Sequence, residues 1–264
     1  MNLTDRIEKN ETCYGMFLAL KDPAIVEIIG YAGYDFGIID LEHSSLDLSV
    51  MEHMIRASET INLNSVVRVP QNDYGTILRA AEAGADTVMI PHLMDGKQAK
   101  DIVDMAKYYP IGKRGLDAST RIAQYGNKTM AEHMKIQNKR IQIIGMIEDQ
   151  EAVENIDEIL AVQGIDLLFI GAADLSSSFG LPGEVSHPKL REAIQSVIDK
   201  SNEVNVPVGM PAYDAEQANE LREMGVKFIA TPAVDTFLIS EMFNNHLQNI
   251  KKFKKTTNNS KGKK

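Results

Sequence analysis

The stretch IQIIGMIEDQEAVENIDEILAVQGIDLLFIGAADLS (residues 141–176) contains the unit from which the fold is built. Two continuous apolar runs, 141–148 and 166–171, flank an amphipathic segment, 150–164, that ends at a glycine. Continuous apolar runs, rather than alternating ones, are typical of parallel strands that are buried on both faces. The stretch therefore predicts a strand, a helix and a second, parallel strand.

The same alternation extends along most of the chain. Six further apolar runs lie at 14–20, 36–40, 65–70, 86–91, 206–211 and 227–233, and helix-like segments lie at 22–33, 74–84, 96–107 and 214–225. Eight such units in about 230 residues predict the α/β class and a (β/α)8 TIM barrel. A doubly wound sheet usually has a glycine-rich phosphate turn after its first strand, whereas this first run leads into LKDPA.

No linker rich in proline, glycine or serine divides the chain, so we expect one barrel domain over residues 1–250. The last residues, KKFKKTTNNSKGKK (251–264), carry seven lysines and no acid, which predicts a disordered basic tail. The segment 108–140, after the fourth strand and its helix, predicts a long, partly helical loop. Long loops of barrels are often lids or substrate loops.

Composition excludes several classes of partner. The net charge is −9, which disfavours nucleic acid as a partner. No apolar run approaches the roughly 20 residues that span a bilayer, so we expect no membrane partner. The first residues lack the apolar core of a signal peptide, and Cys13 is the only cysteine, so we expect a cytoplasmic protein without disulfides.

Polar residues at the ends of the predicted strands should meet in one mouth of the barrel. They are Asp40, Glu42, His43, Arg68, Glu148 and Asp174. The eight runs contain no central lysine; Lys21 follows the first and Lys227 begins the eighth. A Schiff-base aldolase needs a lysine deep in the barrel, so this pattern argues against that class.

Glu148 and Asp174 are separated by about one strand–helix repeat, which places both at the ends of neighbouring strands. Two adjacent carboxylates repel each other unless a cation joins them. Carboxylates with open positions for water and substrate suit Mg²⁺ or Mn²⁺. The alternative is that both residues cap helices.

Two further side chains allow both a structural and a chemical interpretation. Arg68 lies between apolar neighbours, and a buried guanidinium requires an anionic partner. It forms either a structural ion pair or a fixed donor to a developing oxyanion. His43 is either a core histidine or an acid/base group, and the acidic residues beside it favour the second interpretation.

Four motifs resemble one known family. They are IIDLEH (38–43), VVRVP (66–70), MIE (146–148) and FIGAADLS (169–176). Together they are similar to the metal-dependent class II pyruvate aldolases, such as 4-hydroxy-2-oxoheptanedioate and 2-keto-3-deoxy-sugar-acid aldolases, and to the citrate lyase beta-like barrels that bind phosphoenolpyruvate or pyruvate. The resemblance runs from about residue 14 to residue 245. It implies a homo-oligomer, commonly a hexamer, in which a C-terminal helix over 234–250 contacts a neighbour.

The resemblance implies a role for each matching residue. Glu148 and Asp174 would hold the Mg²⁺ or Mn²⁺ ion, and Arg68 would contact the enolate oxygen of a 2-oxo acid. His43 would act as acid/base, with Glu82 or Asp40 as its acidic partner. The backbone of Gly171, Ala172 and Ala173 would hold the substrate carboxylate. The implied reaction cleaves a 4-hydroxy-2-oxo acid to pyruvate and an aldehyde.

Two positions depart from the family pattern. Ala172 stands where proline is usual, and Met146 stands where glutamine is frequent. A second reaction therefore stays open, the condensation of oxaloacetate with acetyl-CoA to citrate for siderophore synthesis. For that reaction Arg114 and Arg121 would bind a second carboxylate or a CoA phosphate, unless both are solvated loop residues. The intact set of motif residues argues against a barrel that only binds ligands.

Overall fold

The computed structural model describes residues 3–260. Its eight strands pair in parallel and in chain order, and β8 closes on β1. This closed barrel confirms the predicted fold. The strands are β1 Cys13–Leu18, β2 Phe36–Asp40, β3 Asn64–Arg68, β4 Thr87–Ile90, β5 Gln142–Ile147, β6 Leu167–Ile170, β7 Val208–Pro211 and β8 Phe228–Val234.

Twelve α-helices are described, most of them packed around the barrel. They are α1 Leu3–Glu8, α2 Ala24–Tyr31, α3 Leu48–Thr60, α4 Tyr74–Ala83, α5 Gly96–Ala106, α6 Met130–Arg140, α7 Gln150–Glu154, α8 Ile156–Leu160, α9 Ala172–Ser178, α10 Pro188–Glu203, α11 Ala215–Glu223 and α12 Asp235–Ser260. The predicted helix over 150–164 is divided at Asn155 into α7 and α8. Aspartates cap α3, α4, α5 and α11, where each carboxylate accepts backbone N–H groups of the first turn.

Aromatic side chains fill the inside of the barrel. Phe36 and Phe228 are stacked, and Phe169 meets Phe228 edge to face. Gly209 makes room for them, since a Cβ there would lie 2.7 Å from Phe228 and 2.8 Å from Phe169. Leu3 and Ile7 of α1 join this inner cluster, so α1 covers the amino-terminal end of the barrel. The other end is left as the mouth.

The segment 108–140 differs from its prediction. It leaves α5 and enters β5, so both of its ends lie at the amino-terminal side of the barrel, opposite the mouth. From there it packs along the outside of the helices: Lys113 pairs with Asp104 of α5, and the backbone N–H of Gly115 donates to the Tyr74 hydroxyl of α4. In this protomer it is therefore not a lid over the mouth.

The C-terminal helix is longer than expected. The predicted helix over 234–250 is present, and α12 continues to Ser260, into the predicted basic tail. Lysine is a good helix former, and extending an existing helix avoids the cost of nucleation. The other predicted tail residues, 261–264, lie outside the described residues. No helix between residues 3 and 260 is long and apolar enough to cross a bilayer.

Candidate active site

The second and third strands bring a carboxylate and a guanidinium together at the mouth. Asp40 and Arg68 end their strands and are paired in register. Nε and Nη2 of Arg68 donate to the two carboxylate oxygens of Asp40 at 2.9 and 2.7 Å. The residues are only 3% and 8% exposed. The bidentate pair satisfies two charges that would be costly to bury singly.

Arg68 also has contacts beyond Asp40. Its Nη1 lies 3.2 Å from Oε2 of Glu42, and its guanidinium carbon lies 4.5 Å from the centre of the Phe17 ring. A guanidinium carries five N–H donors. The hydrogen bonds to Asp40 use one donor of Nε and one of Nη2, and the contact with Glu42 is an ion pair, so at least one donor remains on each terminal nitrogen. The ion pair that the sequence suggested is present, and two donors remain for a ligand.

His43 lies in the turn after β2, where Asp40 holds the backbone. Oδ1 of Asp40 accepts the backbone N–H groups of Glu42 and His43 at 3.0 and 3.2 Å. The imidazole itself is 64% exposed, and its Nε2 lies 3.8 Å from Oε2 of Glu42. Asp40 therefore orients the turn, and the acid nearest the ring is Glu42. Burial raises the pKa of Glu42, while Arg68 opposes that shift.

Glu148 follows β5 and is 3% exposed. Burial raises its pKa to about 7, and the negative charges of Glu42 and Asp174 add to this shift. A hydrogen bond from the backbone N–H of His92 to Oε1, at 2.8 Å, acts in the opposite direction. Glu42, which pairs with Arg68, also acts electrostatically on Glu148, as expected for groups at the same end of the barrel. Asp174 lies exposed in the first turn of α9, after β6.

These carboxylates fit a hard divalent cation. Oxygen donors match the preference of Mg²⁺ and Mn²⁺, and positive charge would relieve the repulsion that raises the Glu148 pKa. Gly171 leaves space beside Glu148, because a Cβ there would lie 2.7 Å from Oε2. The part of the chain that is described contains no group of three or more His, Cys, Asp or Glu side chains placed to hold a metal. Glu148 and Asp174 would be the two carboxylate ligands, with the other positions open to substrate and water.

Gly171, Ala172 and Ala173 connect β6 to α9 directly beside Glu148. Gly171 precedes the helix, and Ala172 and Ala173 begin it. Ala172 therefore stands at the first helical position, where proline is favoured because its missing N–H is not needed. Met146 lies inside the barrel among the aromatic cluster and is buried. Its thioether packs in the core, below the level of the Glu148 carboxylate.

Arg114 and Glu82 lie in a different part of the molecule from His43. Arg114 is 4% exposed, and its guanidinium carbon lies 4.5 Å from the centre of the Tyr108 ring. The negative charge of Glu82 favours the charged form of Arg114, but Glu82 accepts no hydrogen bond from it. All three side-chain nitrogens of Arg114 lack a hydrogen-bond partner among the described residues. Nor does any contact in the described range join either residue to the mouth. Glu82 as the acidic partner of His43 therefore stays a prediction, and the segment that carries Arg114 packs outside the barrel.

Arg121 lies on the same outer surface. It pairs with Glu59 of α3 and donates to the backbone carbonyl of Ala83. The buried lysine of this region, Lys107, donates to the carbonyl of Asn138 and lies 3.8 Å from Asp166, at the amino-terminal ends of the strands. Its position far from the mouth agrees with the argument against a Schiff base.

Two residues of the mouth, His92 and Asp149, had no assigned role in the predicted site. His92, after β4, pairs through Nδ1 with Asp149 at 2.9 Å, and this hydrogen bond is the largest cause of its raised pKa. Asp149 directly follows Glu148. Both are polar residues at strand ends, so the rule that found Glu148 applies to them as well. The sequence contains no pattern that indicates the pairing of His92 with Asp149 across neighbouring strands.

Known proteins resemble the chain over most of its length. The sequence profile described as HpcH/HpaI aldolase/citrate lyase matches residues 13–241. A 2-keto-3-deoxy-L-rhamnonate aldolase of Salmonella paratyphi A is 32% identical over 242 residues, which cover 91% of this chain and 90% of the relative.

Two solved structures share the barrel. An HpcH/HpaI aldolase/citrate lyase family protein of Burkholderia cenocepacia is 30% identical with a TM-score of 0.89, covering 94% of this chain and 98% of the other. The citrate synthase SbnG is 29% identical with a TM-score of 0.86, covering 95% and 98%. The chain therefore belongs to the HpcH/HpaI aldolase/citrate lyase family and is an enzyme of the aldolase class.

Proposed function

We propose that this enzyme is a divalent-metal-dependent aldolase that reversibly cleaves a 4-hydroxy-2-oxo acid into pyruvate and an aldehyde. The observation that supports the proposal most directly is that Arg68, Glu148 and Asp174 all lie at or just after the carboxyl ends of barrel strands, with Glu42 beside Arg68. Two carboxylates suit the cation, and an arginine with two remaining donors suits the oxygen that becomes negative. The similarity to a 2-keto-3-deoxy-sugar-acid aldolase supports the same class of substrate.

Glu148 and Asp174 would hold Mg²⁺ or Mn²⁺. When bound, such an ion stabilises negative charge on the keto oxygen of a 2-oxo acid, so that a proton at C3 becomes more acidic. Gly171 keeps the space beside Glu148 open. The remaining steps depend on groups that this chain itself supplies.

Arg68 would donate its unused N–H groups to the keto oxygen as it becomes an enolate. Asp40 holds the guanidinium in place, so little reorganisation is needed during the reaction. The backbone N–H groups from Gly171 to Ala173 would bind the substrate carboxylate, since N–H groups at the start of a helix point outward and attract anions. His43, exposed beside Glu42, would take the proton from the C4 hydroxyl during cleavage and return it during condensation.

Exchange of the pyruvate methyl protons tests the proposal, and this test does not require the aldehyde substrate to be identified. The purified protein is mixed with pyruvate in D₂O, with and without Mg²⁺ or Mn²⁺, and the methyl signal is followed by NMR. Metal-dependent loss of that signal is the expected result, because an enolate exchanges its methyl protons with solvent. Metal binding without any exchange of the methyl protons would contradict the proposed aldolase function.

The similarity to citrate synthase SbnG supports a second candidate reaction. Here oxaloacetate would be the electrophile, and the enolate would come from acetyl-CoA. The same mouth would bind the 2-oxo acid, and Arg68 would again face the keto oxygen. Formation of citrate from oxaloacetate and acetyl-CoA, without pyruvate exchange, would favour this reaction over the aldolase.

We further propose that the enzyme is a homo-oligomer. The helix α12 leaves the barrel with large apolar side chains exposed along it; they are Phe237, Met242, Phe243, Leu247 and Ile250. Exposed apolar surface on this scale is typical of an interface. A second copy of the chain is the occupant that the family resemblance implies.

A further inference from the structure

His92 adopts a backbone conformation that its side chain disfavours. It follows β4 and Pro91, with φ of +51°. Such left-handed conformations are uncommon for residues that carry a side chain. Of the other non-glycine residues described with positive φ, three are asparagines, which tolerate this conformation best, and the remaining three are Gln124, Tyr125 and Ala233. Strained backbone conformations are concentrated at functional sites, so the contacts of His92 indicate what this turn does.

The left-handed turn directs a backbone donor at the predicted metal ligand. The N–H of His92 donates to Oε1 of Glu148 at 2.8 Å. The other oxygen, Oε2, faces the space that Gly171 leaves. One oxygen is therefore held by the backbone, and the other accepts no hydrogen bond from the described residues.

The imidazole locks this turn in place. Nδ1 of His92 pairs with Oδ2 of Asp149 at 2.9 Å, and Asp149 is the chain neighbour of Glu148. The N–H of Leu93 donates to the carbonyl of Met146 at 3.1 Å. Residues 92–93 are thus joined to residues 146–149 by three hydrogen bonds, which bridge the ends of β4 and β5.

We propose that His92 is a positioning residue for the divalent metal: its left-handed backbone N–H, held by the imidazole–Asp149 pair, fixes Glu148 so that Oε2 is presented to the ion. The inference rests on the proposed metal role of Glu148. Hydrogen bonds to ligating carboxylates set ligand orientation, and their loss typically weakens metal affinity by about 10- to 100-fold.

A series of His92 variants separates the backbone from the side chain. Mn²⁺ affinity is measured by isothermal titration calorimetry, and the surroundings of the bound ion by electron paramagnetic resonance. His92→Asn and His92→Gly tolerate positive φ but lose the imidazole–Asp149 pair, so we expect Mn²⁺ dissociation constants about threefold higher than that of wild type. His92→Val resists positive φ, so we expect binding weaker by about tenfold or more and a changed spectrum.

Asn62→Val is the matched control. Asn62 has φ of +56° after α3, outside the mouth, so the substitution creates similar strain without touching Glu148. We expect lower thermal stability and unchanged Mn²⁺ affinity. A folded His92→Val variant that binds Mn²⁺ like wild type overturns the inference alone. Failure of the wild-type protein to bind Mn²⁺ overturns both the inference and the metal-dependent function.

Discussion

At the scale of single residues, the mouth is governed by the cost of burying charge. Arg68 cannot lose its proton, so its position at the end of β3 requires an anion nearby. Asp40 supplies it from the adjacent strand, and Glu42 supplies a second. The two donors left over are held in a defined direction, which is the condition for stabilising a developing negative charge.

Replacing Arg68 tests that role. For Arg68→Lys we expect turnover lower by roughly 10²-fold, since a point charge on a flexible stem cannot replace the bidentate donor. Steady-state kinetics on the best substrate, or the rate of pyruvate methyl exchange, gives the measurement. Arg68→Ala should be less stable as well, because Asp40 would be left buried without its partner.

Arg56→Ala is the control for these variants. Arg56 forms an exposed pair with Glu52 within α3, and such pairs contribute little to stability. Its turnover should match wild type. Near-normal turnover in a folded Arg68→Lys variant would remove the bidentate arginine from the mechanism.

The raised pKa of Glu148 predicts how metal binding depends on pH. Because the proton competes with the ion, Mn²⁺ affinity should fall as the pH drops below about 7. Titration calorimetry at pH 6, 7 and 8, with Mn²⁺ as the ligand, measures this. Affinity that is constant across the three values would contradict a carboxyl group that titrates near neutrality.

The same shift predicts the stability of the metal-free protein. The pKa of Glu148 is higher in the folded state, about 7, than its ordinary value of 4.5, so the folded state binds more protons between these values. Stability should therefore decrease as the pH rises through this window, by up to about 3 kcal/mol. Glu148→Gln removes the effect: without metal it should melt above wild type at pH 8, with a smaller difference at pH 5. An equal difference in melting temperature at pH 5 and pH 8 would contradict the raised Glu148 pKa as its cause.

At the scale of elements, the site is built from the segments that come directly after the strands. The turn after β2 carries His43, the turn after β4 carries His92, and α9 begins at the end of β6. Strand pairing then determines which turns are neighbours. Glu148 after β5 lies between the groups that come after β4 and β6, which explains why it contacts both His92 and Gly171.

The start of α9 gives a test at this scale. In Gly171→Ala the added methyl would lie 2.7 Å from Oε2 of Glu148, so either the carboxylate or the helix start must move. We expect Mn²⁺ affinity weaker by about tenfold, with the barrel still folded. Gly75→Ala, in the first turn of α4, is the control, and calorimetry is the measurement. Unchanged affinity in Gly171→Ala would show that Oε2 does not face the ion.

At the scale of the whole molecule, the barrel is closed, but large apolar side chains of α12 stay exposed. The carboxylate of Asp235 accepts backbone N–H groups of Ala19 and Leu20, which anchors the first turn of α12 to β1. Beyond that anchor the helix exposes its apolar side chains. An isolated protomer would therefore keep a large apolar surface in water.

If α12 forms the proposed interface between copies of the chain, a charge on its apolar surface should dissociate them. For Phe243→Glu we expect a smaller mass by size-exclusion chromatography with light scattering, because a carboxylate is costly in an apolar interface. Asn244→Glu, which adds the same charge at a polar position of α12, should keep the wild-type mass. Equal masses for wild type and Phe243→Glu would exclude this helix as the interface.

Much of this architecture is already determined by the sequence. All eight apolar runs are strands of the barrel, because a parallel strand buried on both faces needs continuous apolar residues whatever its neighbours are. The polar residues at those strand ends are local too, so Asp40, Arg68, Glu148 and Asp174 could be named from the chain alone. The helices α3 and α10 were missed, although an aspartate caps one and a proline begins the other.

Only the tertiary structure decided which of those residues meet. Glu42, rather than Glu82, lies beside the His43 ring, and Arg114 is buried against Tyr108 outside the barrel. His92 reaches Glu148, which is 56 residues away in the chain. Burial and pairing between distant segments depend on how the barrel closes. Local pattern encodes the strand and the residue at its end, but the distances between strand ends exist only after closure.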